Sequence, residues 1–237
     1  MNKFTGYIRR CVDDYSMIQD GDVIAVGVSG GKDSLCLLCG LANLRRFYPK
    51  RFELKALTVD MGNGVDYSAI GELCRSLDVE YAIKKTEISQ IIFDYRHESN
   101  PCALCAKMRR GALHDMMKER GINKIALGHH FDDVIETFML SLFYEGRLSC
   151  FQPVTYMSRA DVTQIRPMLY VGEGTAASLA KRYELPVTPS NCPMDGVSKR
   201  EEVKQLIATL SLKYPDLKSK LFGAIQRLPL DGWEKQR

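Results

Sequence analysis

The hydrophobic and polar positions along the chain switch repeatedly between two patterns. Short apolar runs rich in β-branched residues, such as VIAVGVS at residues 23–29, are typical of strands buried on both faces of a sheet. Each run is followed by a longer stretch in which apolar residues recur at helical spacing. The predicted strands cover 23–29, 52–59, 80–84 and 124–127, and the predicted helices cover 33–47, 67–77, 104–120 and 131–144. This alternation predicts an α/β fold with a doubly wound parallel sheet.

Further elements are predicted at both ends of the chain. Apolar spacing predicts a leading helix within residues 1–20, and the looser stretch beyond Gly146 predicts two short strands and a helix over 173–183. The tail opens with a capping-box pattern, Ser198 with Glu201, followed by Val203, Leu206, Ile207 and Leu210 on one predicted helix face. A last helix is predicted over 217–228.

These elements divide into three expected parts. They are an N-terminal helix over 1–20, an α/β domain over 21–190, and a C-terminal part over 191–237 that joins a cysteine loop to a small helical appendage. Hydrophobic residues at 45% and charged residues at 26% exclude a disordered or low-complexity chain. The net charge of +4 permits a nucleic-acid partner without requiring one.

The compartment decides how the eight cysteines are interpreted. The N-terminus lacks an export signal, and no window offers about 18 uncharged apolar residues, so we expect a cytoplasmic protein with no membrane partner. In a reducing cytosol, eight thiols favour buried packing residues plus a metal site over a disulfide framework.

A glycine-rich loop follows the first predicted strand and opens the first helix of the α/β pattern. It has the sequence SGGKDS and consists of Ser29, Gly30, Gly31, Lys32, Asp33 and Ser34. Glycines let the backbone approach an anion closely, and the free N–H groups of a helix N-terminus favour phosphate. Lys32 adds a positive charge, and Asp33 suits a divalent cation held beside the phosphates. The loop therefore predicts ATP and Mg²⁺ binding, although a Gly-Gly turn with an N-terminal helix acid is the plainer alternative.

Two thiols begin the helix near residue 104. Cys102 and Cys105 stand in a CxxC pattern, three positions apart and on one helix face, whereas Cys192 lies in a later loop, SNCP. Spacing alone leaves zinc, an iron-sulfur cluster, a redox dithiol and coincidence open. Cys36 and Cys39 form a similar pair, but their apolar helix LCLLCGLANL favours burial.

The SGGKDS loop after a strand resembles the signature of the PP-loop ATP pyrophosphatase superfamily, whose members adenylate a carbonyl or carboxyl oxygen. Within it, PCALCAKMRRGAL, LGHHFDDVIETFMLSLFYEGRL, QIRPMLY and KYPDLKSKLFGAI are similar to the tRNA 2-thiocytidine synthase group. The resemblance implies a tRNA cytidine 2-sulfurtransferase with a [4Fe-4S] cluster. It also implies that Cys102, Cys105 and Cys192 hold this cluster, leaving one iron for sulfide that arrives free or from a cysteine desulfurase.

The resemblance also assigns further residues. In LGHHFDDVIET, Asp133 is expected at the magnesium or nucleotide site with Gly128 and His130, and Asp60 after the second strand is expected near ATP. Dipole-complementing acids, a buried imidazole and a turn aspartate are the plainer interpretations. The candidate catalytic residues are Cys102, Cys105 and Asp133.

A basic run follows the thiol pair, with Arg96 and His97 before it. Lys107, Arg109 and Arg110 are candidate tRNA phosphate contacts, although such runs are usually solvated helix faces. Alternative functions left open are a related sulfurtransferase acting on tRNA uridine or a small molecule, and a non-catalytic nucleotide- or zinc-binding RNA module. A homodimer is a further arrangement that the sequence leaves open.

Overall fold

The computed structural model describes residues 1–95, 101–189, 191–192, 199–228, 230 and 232–235. The strands in these ranges are β1 Asp22–Gly27, β2 Phe52–Asp60, β3 Glu80–Lys85, β4 Lys124–Ala126, β5 Val154–Met157 and β6 Val162–Ile165. The helices are α1 Asn2–Asp14, α2 Lys32–Arg45, α3 Ser68–Ser76, α4 Ile88–Gln90, α5 Pro101–Glu119, α6 Phe131–Leu140, α7 Glu173–Arg182, α8 Lys199–Lys213 and α9 Leu217–Arg227.

The strands form one sheet in the order β3-β2-β1-β4-β6-β5. Five of them run parallel, which confirms the predicted doubly wound α/β class. The edge strand β5 is antiparallel to β6, with Val154 opposite Ile165. The connection over residues 158–161 is too short for a parallel crossover, so these two strands can only form a hairpin.

Both faces of the sheet are covered, because successive side chains of each strand point to opposite sides. In β1, Ile24 and Val26 belong to a large core cluster that includes apolar residues of α1, α2, α6 and α7. Ala25 belongs to a second cluster, with Met116 and Met117 of α5 on the opposite face. The continuous apolar character of β1 follows from this two-sided burial.

Two helix boundaries differ from the sequence prediction. Helix α5 begins at Pro101 rather than near residue 104, because proline is favoured in the first helical turn, where its missing N–H is not needed. Helix α6 ends at Leu140 and continues as a π-helical turn over Ser141–Glu145. The earlier start of α5 puts both Cys102 and Cys105 on its first turn or two.

The C-terminal helices pack on the same core. Val203 and Ile207 of α8 and Phe222 and Ile225 of α9 are buried in the large cluster. The predicted apolar face of α8 was too wide, because Leu206 is 42% exposed and the side chain of Leu210 is only half-buried. Ser198, the predicted cap, lies outside the described residues. The divisions expected at residues 20 and 190 stay predictions.

Among the helices that the structure describes, none is both long and apolar enough to cross a bilayer.

Candidate nucleotide and thiol site

The candidate site lies at the point in the sheet where the order of successive strands reverses. Strand β1 sits between β2 and β4, so the connections leaving β1 and those leaving β4 turn to opposite sides. In such sheets the crevice at the carboxyl ends of the two central strands is the place where ligands bind. The loop after β1 carries the SGGKDS sequence, and the loop after β4 carries Gly128 and His130.

The glycine loop is held in shape by its own hydroxyl groups. The backbone N–H of Ser29 donates to Ser34 Oγ at 3.2 Å, and Ser34 Oγ donates to the carbonyl of Gly31 at 2.9 Å. Gly30 has φ +87°, a conformation that residues with a Cβ rarely adopt. Gly31 is the N-cap of α2, so the first free N–H groups of that helix lie beside the loop. This arrangement matches the geometry expected for a phosphate site.

Gly128 permits close contact between the two loops. A Cβ at this position would lie 3.0 Å from the carbonyl carbon of Asp33 and 3.1 Å from the backbone N of Ser34. A larger residue would therefore push the loop after β4 away from the first turn of α2.

His130 and Asp133 cap α6 reciprocally. The N–H of Asp133 donates to Nδ1 of His130 at 3.4 Å, and the N–H of His130 donates to Oδ2 of Asp133 at 2.9 Å. Because Nδ1 accepts, the imidazole proton is assigned to Nε2, which lies 4.0 Å from Oδ2 of Asp33. Asp33 and Asp133 thus flank opposite edges of one imidazole ring. The capping role of Asp133 is seen directly, and its role toward magnesium stays a prediction.

The Lys32 ammonium is paired with two carboxylates, whereas one carboxylate oxygen of Asp33 is buried without a hydrogen-bond partner among the described residues. The Lys32 ammonium lies 3.0 Å from Oδ2 of Asp33 and 3.4 Å from Oε1 of Glu173. Burial would lower the pKa of Lys32, but the two carboxylates hold it above its usual value, so this side chain is a fixed cation. The buried Oδ1 of Asp33 has no hydrogen-bond partner among the described residues. An unsatisfied carboxylate oxygen beside a phosphate loop fits a Mg²⁺ ligand.

Asp60 ends β2, the strand next to β1. Its Oδ1 accepts the N–H of Gly62 at 3.0 Å, as in an Asx turn, and its backbone carbonyl accepts hydrogen bonds from Thr86. The plainer interpretation of Asp60 as a turn residue is therefore visible in the structure, and the proximity to ATP stays a prediction.

One cavity joins the glycine loop to two of the predicted cluster ligands. Its volume is about 380 Å³, and its walls include Ser29, Gly31, Cys105, Arg109, Thr188 and Cys192. Burial raises the pKa of Cys105, the thiols of Cys192 and Cys102 add to the rise, and the Arg109 guanidinium opposes it. Two of the three thiols, Cys105 and Cys192, therefore lie at one cavity, and Cys102 precedes Cys105 by three positions on α5. Within the described ranges, however, no three candidate ligands converge on one metal position.

Four of the other five cysteines are buried, namely Cys11, Cys36, Cys39 and Cys74, whereas Cys150 is partly buried like Cys105. Burial raises the pKa of Cys36 to about 12 and the pKa of Cys39 and Cys74 to about 11, so these thiols stay protonated at neutral pH. Cys102 and Cys192 are instead exposed. Protonated buried thiols are packing residues, and exposed ones are accessible to a soft metal.

The C-terminal helices bring three cations to the site that were not among the residues predicted from the sequence. Arg200 of α8 contacts Asp133 at 3.4 Å and Glu136 at 3.2 Å, and Lys204 contacts Glu173 at 3.0 Å. Lys218 of α9 contacts Asp132 at 2.6 Å. Arg200 and Lys204 are four positions apart and so share a helix face. This spacing is the one feature of the sequence that pairs the two cations. Without the tertiary structure, nothing indicated that this face meets the α6 acids.

Two of these cations oppose the upward effect of burial on the pKa values of the neighbouring acids Glu136 and Asp132. Burial and the nearby Asp133 raise the pKa of Glu136 despite Arg200. Burial also pushes the pKa of Asp132 upward, but Lys218 and the N–H of Glu173 together hold it below its usual value. Asp132 is therefore a structural anion, since its two oxygens are already bound.

The predicted RNA contacts lie on the exposed surface of α5. Lys107, Arg109 and Arg110 are all exposed, and Arg109 also reaches the cavity wall beside Cys105. Arg96 and His97 lie outside the described residues. The basic surface is therefore adjacent to Cys105.

Comparison with known proteins adds to this geometry. The model of the PP-loop domain family matches residues 4–192. A tRNA-cytidine(32) 2-sulfurtransferase from Syntrophotalea carbinolica is 40% identical over 229 residues, which cover 95% of this chain and 87% of that protein. A protein of the same name from Geobacter sulfurreducens is 37% identical, with 94% and 88% covered.

A solved structure is similar over nearly the whole chain. It is the U34-tRNA thiolase NcsA from Methanococcus maripaludis with its [4Fe-4S] cluster, at a TM-score of 0.74 and 26% identity. The match covers 94% of this chain and 77% of the thiolase.

Proposed function

This chain belongs to the PP-loop domain family, and from that premise we propose that it is an ATP-dependent tRNA cytidine 2-sulfurtransferase. The observation that carries the proposal is the single cavity whose walls contain both the glycine loop and the thiols of Cys105 and Cys192. An activated base and a sulfur carrier must come together for thiolation, and this cavity lies between the two kinds of group. The relatives that share the name cover almost the whole chain, which supports the choice of cytidine.

The glycine loop would bind the phosphates of ATP. The N–H groups at the start of α2 point to the anion, Lys32 neutralises part of its charge, and the unsatisfied Oδ1 of Asp33 suits Mg²⁺. Holding the phosphates in a fixed position converts the attack of the base into an intramolecular step, which lowers its entropic cost.

Activation and transfer then follow in two balanced steps. The C2 oxygen of the base attacks the α-phosphorus, the bond from that phosphorus to the bridging oxygen breaks, and pyrophosphate leaves with its charge near Lys32. Sulfide then adds to C2, and AMP leaves with the original oxygen. With sulfide as donor no external reductant is needed, because the carbon keeps its oxidation state.

The thiols would hold the cluster. Thiolates are the usual ligands of iron-sulfur clusters. Cys105 and Cys192 line one cavity, and Cys102 is exposed on the same helix as Cys105. The cluster would supply a place for incoming sulfur at the iron that three cysteines leave without a protein ligand. The roles of Cys102, Cys105 and Asp133 as catalytic residues are part of this proposal.

The partners follow from the same chemistry. The exposed basic side chains Lys107, Arg109 and Arg110 would contact tRNA phosphates and present an unstacked base to the cavity. The sulfur would come as free sulfide or from a cysteine desulfurase. We place the protein in the cytoplasm, where tRNA and reduced thiols are found, and include a homodimer in the proposal.

Analysis of tRNA nucleosides tests the function. Mass spectrometry of tRNA from a strain lacking the gene should show the loss of 2-thiocytidine, with restoration by the wild-type gene and not by a Lys32→Met copy. Anaerobically purified protein should contain iron, and Cys105→Ser should lose it, whereas Cys74→Ser at a buried packing position should keep it. Loss of a thiouridine in place of 2-thiocytidine would support the alternative of a uridine thiolase, which the likeness to NcsA favours. Unchanged thionucleosides and iron-free protein would contradict the proposal.

A further inference from the structure

Thr188, in the segment that follows α7, lies directly on the glycine loop. The N–H of Thr188 donates to the carbonyl of Gly30 at 3.0 Å. A Cβ built on Gly30 would lie only 2.0 Å from Oγ1 of Thr188, so the Thr188 side chain packs against the α-carbon of Gly30. The Gly30 peptide therefore cannot reorient without displacing Thr188.

Two contacts on either side of Thr188 tie the chain to the nucleotide site. Before Thr188, Glu173 at the N-terminal end of α7 pairs with Lys32 of the glycine loop. After Thr188, Nδ2 of Asn191 donates to the carbonyl of Asn63 in the loop after β2 at 3.1 Å. Cys192 follows Thr188 by four positions, so a chain at full extension keeps their α-carbons within about 14 Å. Thr188, which contacts the glycine loop, and the third thiol are therefore close along the chain.

We propose that Thr188 is a positioning residue that couples nucleotide binding at Gly30 to the placement of Cys192 beside Cys105. The inference rests on the proposed function, in that a nucleotide is taken to occupy the glycine loop. Phosphate binds through the backbone N–H groups of such loops, so it orients the peptides of Gly30 and Gly31. Thr188 follows Gly30 because a hydrogen bond and a direct contact join them, and Cys192 is drawn from its exposed position toward Cys105.

The coupling has a reciprocal consequence. If nucleotide binding changes the free energy of placing Cys192, then a group held by Cys192 changes nucleotide affinity by the same factor. The third thiol would thus be set in place when ATP is present to activate a base.

Thiol alkylation of the metal-free chain measures the coupling without relying on activity. Iodoacetamide is added with and without a saturating, non-hydrolysable ATP analogue and Mg²⁺, and the Cys192 peptide is followed by mass spectrometry. Cys102, which is also exposed but lies on α5, serves as the internal reference for reagent reactivity. We expect the analogue to slow Cys192 alkylation by about fivefold relative to Cys102, the lower end of common coupling factors.

Three variants separate coupling from simple shielding by the bound analogue. Thr188→Ala keeps the backbone hydrogen bond to Gly30 but removes the Oγ1 contact, and should reduce the slowing to less than about twofold, whereas Thr188→Ser keeps an Oγ and should retain it. Thr209→Ala, at an exposed position on α8, should behave as wild type. Equal slowing in Thr188→Ala would show that the Thr188 side chain does not carry the coupling and would overturn the inference, as would unchanged alkylation in wild-type protein that binds the analogue. A chain that does not bind the analogue at all would instead refute the proposed function, and the coupling with it.

Discussion

The ammonium nitrogen of Lys204 lies 3.0 Å from both carboxylate oxygens of Glu173. Lys32, the cation of the glycine loop, contacts the same carboxylate at 3.4 Å. A helix in the C-terminal appendage therefore places a second positive charge next to the predicted phosphate site, one helical turn from Arg200.

Removing the charge of Lys204 should weaken the use of ATP. A triphosphate carries several negative charges, and Lys204 supplies a positive charge beside Lys32, so Lys204→Met is expected to lower kcat/KM for ATP by about tenfold, or roughly 1.4 kcal/mol. Pyrophosphate release with substrate tRNA is the measurement. Lys213→Met, an exposed lysine at the end of the same helix, is the matched control and should be neutral. Equal rates for the two variants would show that Lys204 only tethers α8.

The close approach of Gly128 to the Asp33 backbone predicts that a larger residue at position 128 lowers the free energy of unfolding. Gly128→Ala places a Cβ 3.0 Å from the Asp33 backbone and should destabilise the fold by about 1–3 kcal/mol, because backbone atoms cannot yield as a flexible side chain can. The free energy of unfolding is measured in urea. Gly111→Ala on α5 is the control, since its Cβ would meet nothing within 4 Å, and it should stabilise by about 0.5–1 kcal/mol. A stable Gly128→Ala variant would mean that the two loops separate at little cost.

The basic surface of α5 predicts a salt-dependent interaction. Lys107→Gln should weaken tRNA binding and reduce the slope of log K against log salt by roughly 0.7–0.9, the contribution of one phosphate contact. Lys118→Gln, an exposed lysine near the other end of α5, should leave the slope unchanged. Filter binding over a range of salt concentrations provides both numbers. If the two variants gave the same slope, tRNA would have to approach by another face.

The Asp132–Lys218 pair predicts a contribution to stability that is lost in acid. The pKa of Asp132 is held below its usual 3.8 in the folded chain, so its contribution is present above that value. The contribution is lost as the pH falls below 3.8 and through the lower folded-state pKa, because the folded state then binds the proton less readily than the unfolded chain does. Urea unfolding of wild type and Lys218→Met between neutral and acid pH should show a shallower acid decline in the variant. Parallel curves would indicate that Lys218 is too exposed to hold the carboxylate.

Local periodicity was sufficient to predict most elements of the fold. The two-sided burial of β1 makes it continuously apolar, and the one-sided burial of α1 gives its helical spacing, so each pattern reflects a local cause. The prediction was wrong for part of the α8 face, since Leu206 is exposed. Apolar spacing shows which residues a helix could bury and does not show how wide its neighbour is.

The sequence by itself determined the α/β class and the local shape of SGGKDS, because backbone freedom at Gly30 and a helix start are properties of adjacent residues. Only the tertiary structure decided which distant groups meet this loop. Residues far apart in the chain meet in two places. Lys204 and Lys32 both contact Glu173, and Thr188 packs against Gly30. These contacts depend on how α7 and α8 pack against the sheet, and no local pattern records the packing of one element on another.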